Sequence, residues 1–102
     1  MALSLKPGVQ FWGIHSRIVA ALPVLEQIYS KFGQDLVITS ARDGVHKPHS
    51  KHYSGEALDL RTFNLTPLER PEAHFDIHTA LGSDFDVVLE TDHIHIELDP
   101  KA

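Results

Sequence analysis

Between Ile18 and Phe32 the apolar side chains recur at Ile18, Leu22, Leu25, Ile28 or Tyr29, and Phe32, which is the spacing of one helical face. Ser16 is placed to cap that helix and Gly33 to stop it. Pro23 falls inside the pattern, and proline removes a backbone donor and crowds the preceding turn, so a kink or a fresh helical start is expected there. Asp35 to Ser40 then reads as a strand that ends at Arg42, followed by a turn at Asp43-Gly44. A second strand is expected over Glu56 to Phe63. Thr66-Pro67-Leu68-Glu69 has the capping-box pattern with proline at the first helical position. A helix should therefore begin there, or restart after Pro71, and end at Gly82. Phe85 to Glu90 and His93 to Leu98 look like two more strands joined tightly near Thr91-Asp92. The order helix, strand, strand, helix, strand, strand implies an α+β domain with a small, largely antiparallel sheet flanked by helices. Phe11 and Trp12, just before the first helix, are expected to pack beneath it rather than to line a groove.

Two of these strands sort their residues by face. In the first, Leu58 and Leu60 point one way while Ala57, Asp59 and Arg61 point the other. In the second, Ile94, Ile96 and Leu98 face the core, leaving His93, His95 and Glu97 together opposite. A carboxylate and two imidazoles thus stand on faces that need not be the core, and His52 can join them from the preceding turn. A catalytic zinc ion commonly takes three ligands from His, Asp and Glu and keeps a further position for water. His52, Asp59 and one of the later histidines fit that count. Gly55 lets the chain turn sharply from loop into strand, and Ala57 leaves space beside an ion.

These residues resemble the zinc peptidases of the Hedgehog and DD-peptidase type, which include D-Ala-D-Ala carboxypeptidases, D-Ala-D-Ala dipeptidases and phage L-alanyl-D-glutamate endopeptidases. That group's signature S-x-H-x-x-G-x-A-x-D is filled by Ser50, His52, Gly55, Ala57 and Asp59, and its later H-x-H strand by His93 and His95. The resemblance runs from about Asp35 to Glu97. It implies a Hedgehog/DD-peptidase-like fold, with zinc held by His52, Asp59 and His95. It also implies a metallopeptidase that cuts bonds next to D-amino acids in peptidoglycan stem peptides. Ile38-Thr39-Ser40-Ala41-Arg42 resembles the strand end and arginine that precede the first signature, which implies that Arg42 binds substrate or steadies developing negative charge. The catalytic base stays open among Glu90, Asp92 and His93, with Glu90 and His93 preferred. In a second register His93 is the ligand and Glu90 stands three residues ahead of it. Glu97 shares the face of His95 and could orient it. Ser50 is read as supporting the loop, since water is the nucleophile. A zinc-binding module of the same fold without catalysis is the alternative reading.

Composition narrows the picture further. At 102 residues the chain fits a single domain over 1–102. Hydrophobic residues make up 42% and charged ones 23%, ordinary values for a globular protein. The net charge of -5 argues against a broad nucleic-acid surface, which needs clustered Lys and Arg. Cysteine is absent, so a metal must sit on nitrogen and oxygen. Several of the eight histidines crowd at 46, 49 and 52, where a solvated loop accounts for His46 and His49. The N-terminus has neither the basic start nor the apolar run of a secretory signal, and no segment approaches the roughly 20 apolar residues of a membrane span. A monomer made in the cytoplasm is expected, with no membrane or nucleic-acid partner, reaching the cell wall only by a route such as phage-driven lysis.

Overall fold

The computed structural model describes residues 2–100; Met1, Lys101 and Ala102 of the expected domain lie outside the described residues. The elements run β1 (Leu3–Leu5), α1 (Ser16–Lys31), β2 (Leu36–Ser40), β3 (Ala57–Arg61), α2 (Glu69–Leu81), β4 (Phe85–Leu89) and β5 (His93–Leu98). The strands form one sheet in the order β1-β2-β3-β5-β4. Its other three pairs are antiparallel, β4 and β5 as a tight hairpin, but β1 lies parallel to β2. The sheet is therefore mixed. Strand β1 is missing from the sequence reading because it spans only Leu3–Leu5, too short to set a period, and all of it is exposed.

One face of the sheet meets the helices. Leu36 and Ile38 of β2, Leu58 and Leu60 of β3, Phe85 and Val87 of β4, and Ile94, Ile96 and Leu98 of β5 pack with Ile18, Leu22, Leu25 and Tyr29 of α1 and Ala73 and Ile77 of α2. Each large aliphatic side chain so buried contributes about 1.5–3 kcal/mol. That burial fixes register, because a one-residue slip would turn a whole row to the other face. The β3–β5 register sets Leu58 opposite Ile96 and Leu60 opposite Ile94. On the uncovered face the same register sets Asp59 opposite His95 and Arg61 opposite His93. No helix among the described residues is long and apolar enough to cross a membrane.

Several expectations shift in detail. Helix α1 starts at Ser16, but the cap is His15, whose Nδ1 accepts the Arg17 N–H at 3.1 Å. The helix passes through Pro23 without a new start, its buried stripe outweighing the ~3 kcal/mol that an interior proline costs. The Tyr29 hydroxyl, at the inner face of α1, donates to the Arg61 carbonyl at 2.6 Å and so ties the helix to β3; burial raises its pKa. The capping box is formed, with the Thr66 N–H donating to Glu69 and the Glu69 N–H to the Thr66 hydroxyl, one turn before the regular helix begins. Phe11 packs against the core. Trp12 does not: it is 61% exposed, and the Arg42 guanidinium lies over its ring at 4.1 Å. A cation–π contact satisfies an indole face without burying it.

Gly55 has φ +75°, and a Cβ there would collide with the Gly13 carbonyl oxygen. The His15 N–H also donates to the Gly55 carbonyl at 2.9 Å. Gly33 has φ +70° but open space around it. Gly33→Ala should therefore cost only the left-handed conformation, about 1–2 kcal/mol, and Gly55→Ala should cost distinctly more. Urea unfolding of both variants checks the ranking, and a smaller loss at Gly55 would contradict the close approach.

Candidate metal centre

The uncovered sheet face presents Asp59 from β3 and His93, His95 and Glu97 from β5, and the loop between β2 and β3 brings His52 over them. That loop is fastened by its own polar groups. The Tyr53 hydroxyl accepts the His46 N–H at 2.6 Å and donates to the His46 carbonyl at 2.9 Å. The Ser50 hydroxyl accepts the His52 N–H at 3.2 Å, the supporting part read for it from the sequence. The His46 ring stacks on the His52 ring, with centroids 4.0 Å apart and planes 10° from parallel. His49 is held at φ 66°, a left-handed conformation that a non-glycine residue adopts only where its surroundings impose it.

Asp59 Oδ1 is the hub. It lies 3.2 Å from His52 Nε2, 2.9 Å from His95 Nδ1 and 3.7 Å from His93 Nε2. His52 Nδ1 lies 2.7 Å from the Ala41 carbonyl oxygen, which can only accept, so Nδ1 carries the proton. In the neutral ring Nε2 is then a lone pair facing a carboxylate oxygen, an arrangement that repels unless a proton or a cation stands between them. His95 poses the same problem on both sides, because its Nε2 is 3.1 Å from Glu97 Oε1 while its Nδ1 faces Asp59. A cation near Asp59 resolves both contacts, leaving His95 Nε2–H to donate to Glu97, the outer partner that metal-bound histidines commonly have. Tetrahedral ligands about 2.0–2.1 Å from an ion stand about 3.3 Å from one another, close to the separations from Asp59 to His52 and His95. His52, Asp59 and His95 thus form a group that could hold a metal ion. His93 stands farther out.

The electrostatics follow from this crowding. Burial pushes the Asp59 carboxyl upward, but hydrogen bonds from His52 and His95 and the charges of His52 and His93 outweigh it and hold it well below the usual carboxylate range. The Asp59 hydrogen bond raises His95 above 6.5 against the opposing effect of burial, and Glu97 adds to the rise. The exposed Asp92 is held down by its 2.7 Å bond to His93 Nδ1.

Two clefts open on the centre. One, of about 510 Å³, is lined by the loop residues His46 to Ser50 and His52 together with Asp59, Glu90, His93, His95 and Glu97. The other, of about 390 Å³, is lined by Lys6, Thr39, Ser40, Asp59, Arg61, Phe63, Asp92 and His93. Asp59 and His93 belong to both. The structure thus gathers Glu90, Asp92 and His93 around the candidate metal ligands. It leaves Arg42 over Trp12, among the lining residues of neither cleft. Sequence reasoning missed the stacking of His46, which is a placed ring rather than a solvated one. It also missed Lys6, which rides on the unrecognised β1. Arg61 was legible by parity with Asp59. No protein-family model matches the chain, and no curated protein matches it at a significant level.

Metal analysis of purified protein should find about one equivalent, falling to near none in His52→Ala and Asp59→Ala. The metal-free protein should show a defined pH dependence. The depressed Asp59 contributes stability that is complete above its unfolded value of 3.8 and is lost as pH falls through its folded value. The raised His95 contributes stability that is complete below 6.5 and is lost as pH climbs through its folded value. Thermal melts in chelator should therefore peak between about pH 4 and 6.5, with the alkaline decline reduced in His95→Ala.

Proposed function

We propose that the protein is a zinc-dependent metallopeptidase that hydrolyses peptide bonds next to D-amino acids, with peptidoglycan stem peptides as its substrates. The observation that carries this reading is Asp59, held between a nitrogen of His52 whose tautomer is fixed by the Ala41 carbonyl and a nitrogen of His95 backed by Glu97. That arrangement faces an open cleft rather than a closed cage, as a catalytic rather than a structural site requires. The resemblance of Ser50, His52, Gly55, Ala57 and Asp59, with the His93-x-His95 strand, to the zinc peptidase signatures supplies the metal's identity and the substrate class.

When bound, zinc polarises a carbonyl and brings the pKa of water toward about 7. The remaining work falls to the protein's own groups. His93 donates through Nδ1 to Asp92, which orients the ring and leaves Nε2 as a lone pair on the Asp59 side. That nitrogen is placed to take a proton from an attacking water and return it to the leaving amine. Glu90, at the wall of the same cleft, is the other group that can hold that proton. Asp92, bonded to His93, acts through it.

Glu90→Gln and His93→Ala should lower turnover roughly 100-fold to 10,000-fold while keeping the metal, the contribution expected of a general base. If His93→Ala instead releases the metal and His95→Ala does not, His93 is the ligand and Glu90 its partner. The substrate assignment is tested by offering metal-loaded protein D-Ala-D-Ala and L-Ala-D-Glu peptides beside all-L controls, and by mass analysis of fragments released from purified peptidoglycan. Equal cleavage of the all-L peptides would overturn the D-amino-acid assignment. Full metal binding with no cleavage would make the protein a non-catalytic zinc-binding module.

A further inference from the structure

The second cleft carries two cations that the metal centre does not use. Lys6 reaches it from the end of β1, where its N–H donates to the Ile38 carbonyl at 2.9 Å. Arg61 reaches it from β3, two residues beyond Asp59 and directly opposite His93. Among the described residues neither has a carboxylate within 4.0 Å, whereas Arg17 and Lys31 both do. The Arg61 Nε–H is buried and has no acceptor at all, a state that native proteins rarely leave uncompensated. The guanidinium is held at 4.4 Å over the Phe63 ring, which is 70% exposed. The acids in the same cleft are already matched: Asp59 by His52 and His95, and Asp92 by His93. Lys6 and Arg61 are therefore the charged groups of this cleft left without a hydrogen-bonded partner, and they border the candidate metal centre through the shared wall of Asp59 and His93.

We propose that Lys6 and Arg61 form the subsite that binds a carboxylate of the substrate, a free carboxylate flanking the bond to be cut. A planar guanidinium can clasp both oxygens of a carboxylate, and an exposed lysine adds a point charge that needs no fixed geometry. Phe63 offers an apolar surface for the side chain that accompanies the carboxylate. This assignment rests on the peptidase reading for the nature of the ligand, but not for the existence of the anion site. It transfers to Lys6 and Arg61 the charge-binding part that the sequence pattern implied for Arg42, which lines neither cleft.

The test separates binding from catalysis. N-acetyl-D-alanine, its amide, and N-acetyl-D-glutamic acid α-amide are titrated into the full-length metal-loaded protein and followed by amide chemical shifts. Binding of at least one acid with perturbations at residues 6, 39–40 and 61–63, and none of the neutral amide, is expected. The acid that binds identifies the source as a terminal or a side-chain carboxylate. Lys6→Gln and Arg61→Gln should each weaken that binding roughly tenfold or more, the usual worth of a charge-assisted hydrogen bond. Both should keep the full metal equivalent. In the peptidase assay the same variants should raise KM for acid substrates and leave amidated ones unchanged. Equal binding of acid and amide, no binding of any probe, or undiminished binding in both variants overturns the subsite. So does tighter binding of inorganic phosphate, or loss of binding in Arg42→Gln alone. Acid binding without any peptide cleavage upholds the subsite while removing the peptidase reading.

Discussion

A single carboxylate sets the terms for one whole face of this protein. Asp59 stands on a central strand, ionised against the pull of burial, with imidazole nitrogens of His52 and His95 within hydrogen-bond distance and His93 just beyond. Such a group persists only where positive charge reaches it from more than one side. The sheet supplies one source by pairing β3 with β5 in a register that faces Asp59 with His95. The loop before β3 supplies the other by setting His52 between a carbonyl, a stacked ring and a hydroxyl-capped backbone. The apolar residues of the other sheet face thus act on the site indirectly, since it is Leu58, Leu60, Ile94 and Ile96 that forbid any other register.

The parts of the structure that could be read from the sequence are those with strict periodicity. Alternation in Ala57–Arg61 and His93–Leu98 separates core from site, and the folded strands keep that separation except at Ala57, which is buried. The helical stripe from Ile18 likewise predicts α1, and only its first residues and its tolerance of Pro23 differ, because tertiary packing overrides a local penalty. The misses share a cause: each depends on a contact that the local pattern does not encode. Strand β1 is defined by pairing with β2 rather than by its own pattern. Trp12 is an aromatic residue whose ring is taken by Arg42 and not by the core. His46 becomes informative only when the loop folds it onto His52. For the site, residue types and spacing gathered His52, Asp59 and one of the two later histidines, and the resemblance pointed to His95, but neither could show which cations lie beside them.

The centre lies where two clefts of different character meet. The cleft toward the histidine-bearing loop is rich in imidazole and carboxylate and is suited to moving protons. The cleft toward β1 holds Lys6 and Arg61, neither with a carboxylate partner, and an exposed aromatic ring, and is suited to holding a charged ligand. Because Asp59 and His93 border both, a ligand seated in the second cleft would lie beside the imidazoles and carboxylates of the first. The β3 backbone carries this division in consecutive outward positions, Asp59 between the two clefts and Arg61 in the second. The Tyr29 hydroxyl, anchored on the Arg61 carbonyl, fixes the strand at that position.

The contact between Gly55 and the main chain at Gly13 changes how the ligand-bearing segment is to be regarded. Read alone, the stretch from Ser50 to Asp59 looks like a portable cassette, with its glycine serving only the turn between two ligands. In the folded chain that glycine is also the seat for a passing backbone from well upstream, and no side chain fits between them. The segment is therefore half of a lock. Grafted onto another scaffold without the strand of chain around Gly13 to His15, it would carry every ligand type and spacing yet lack the clamp that aims them.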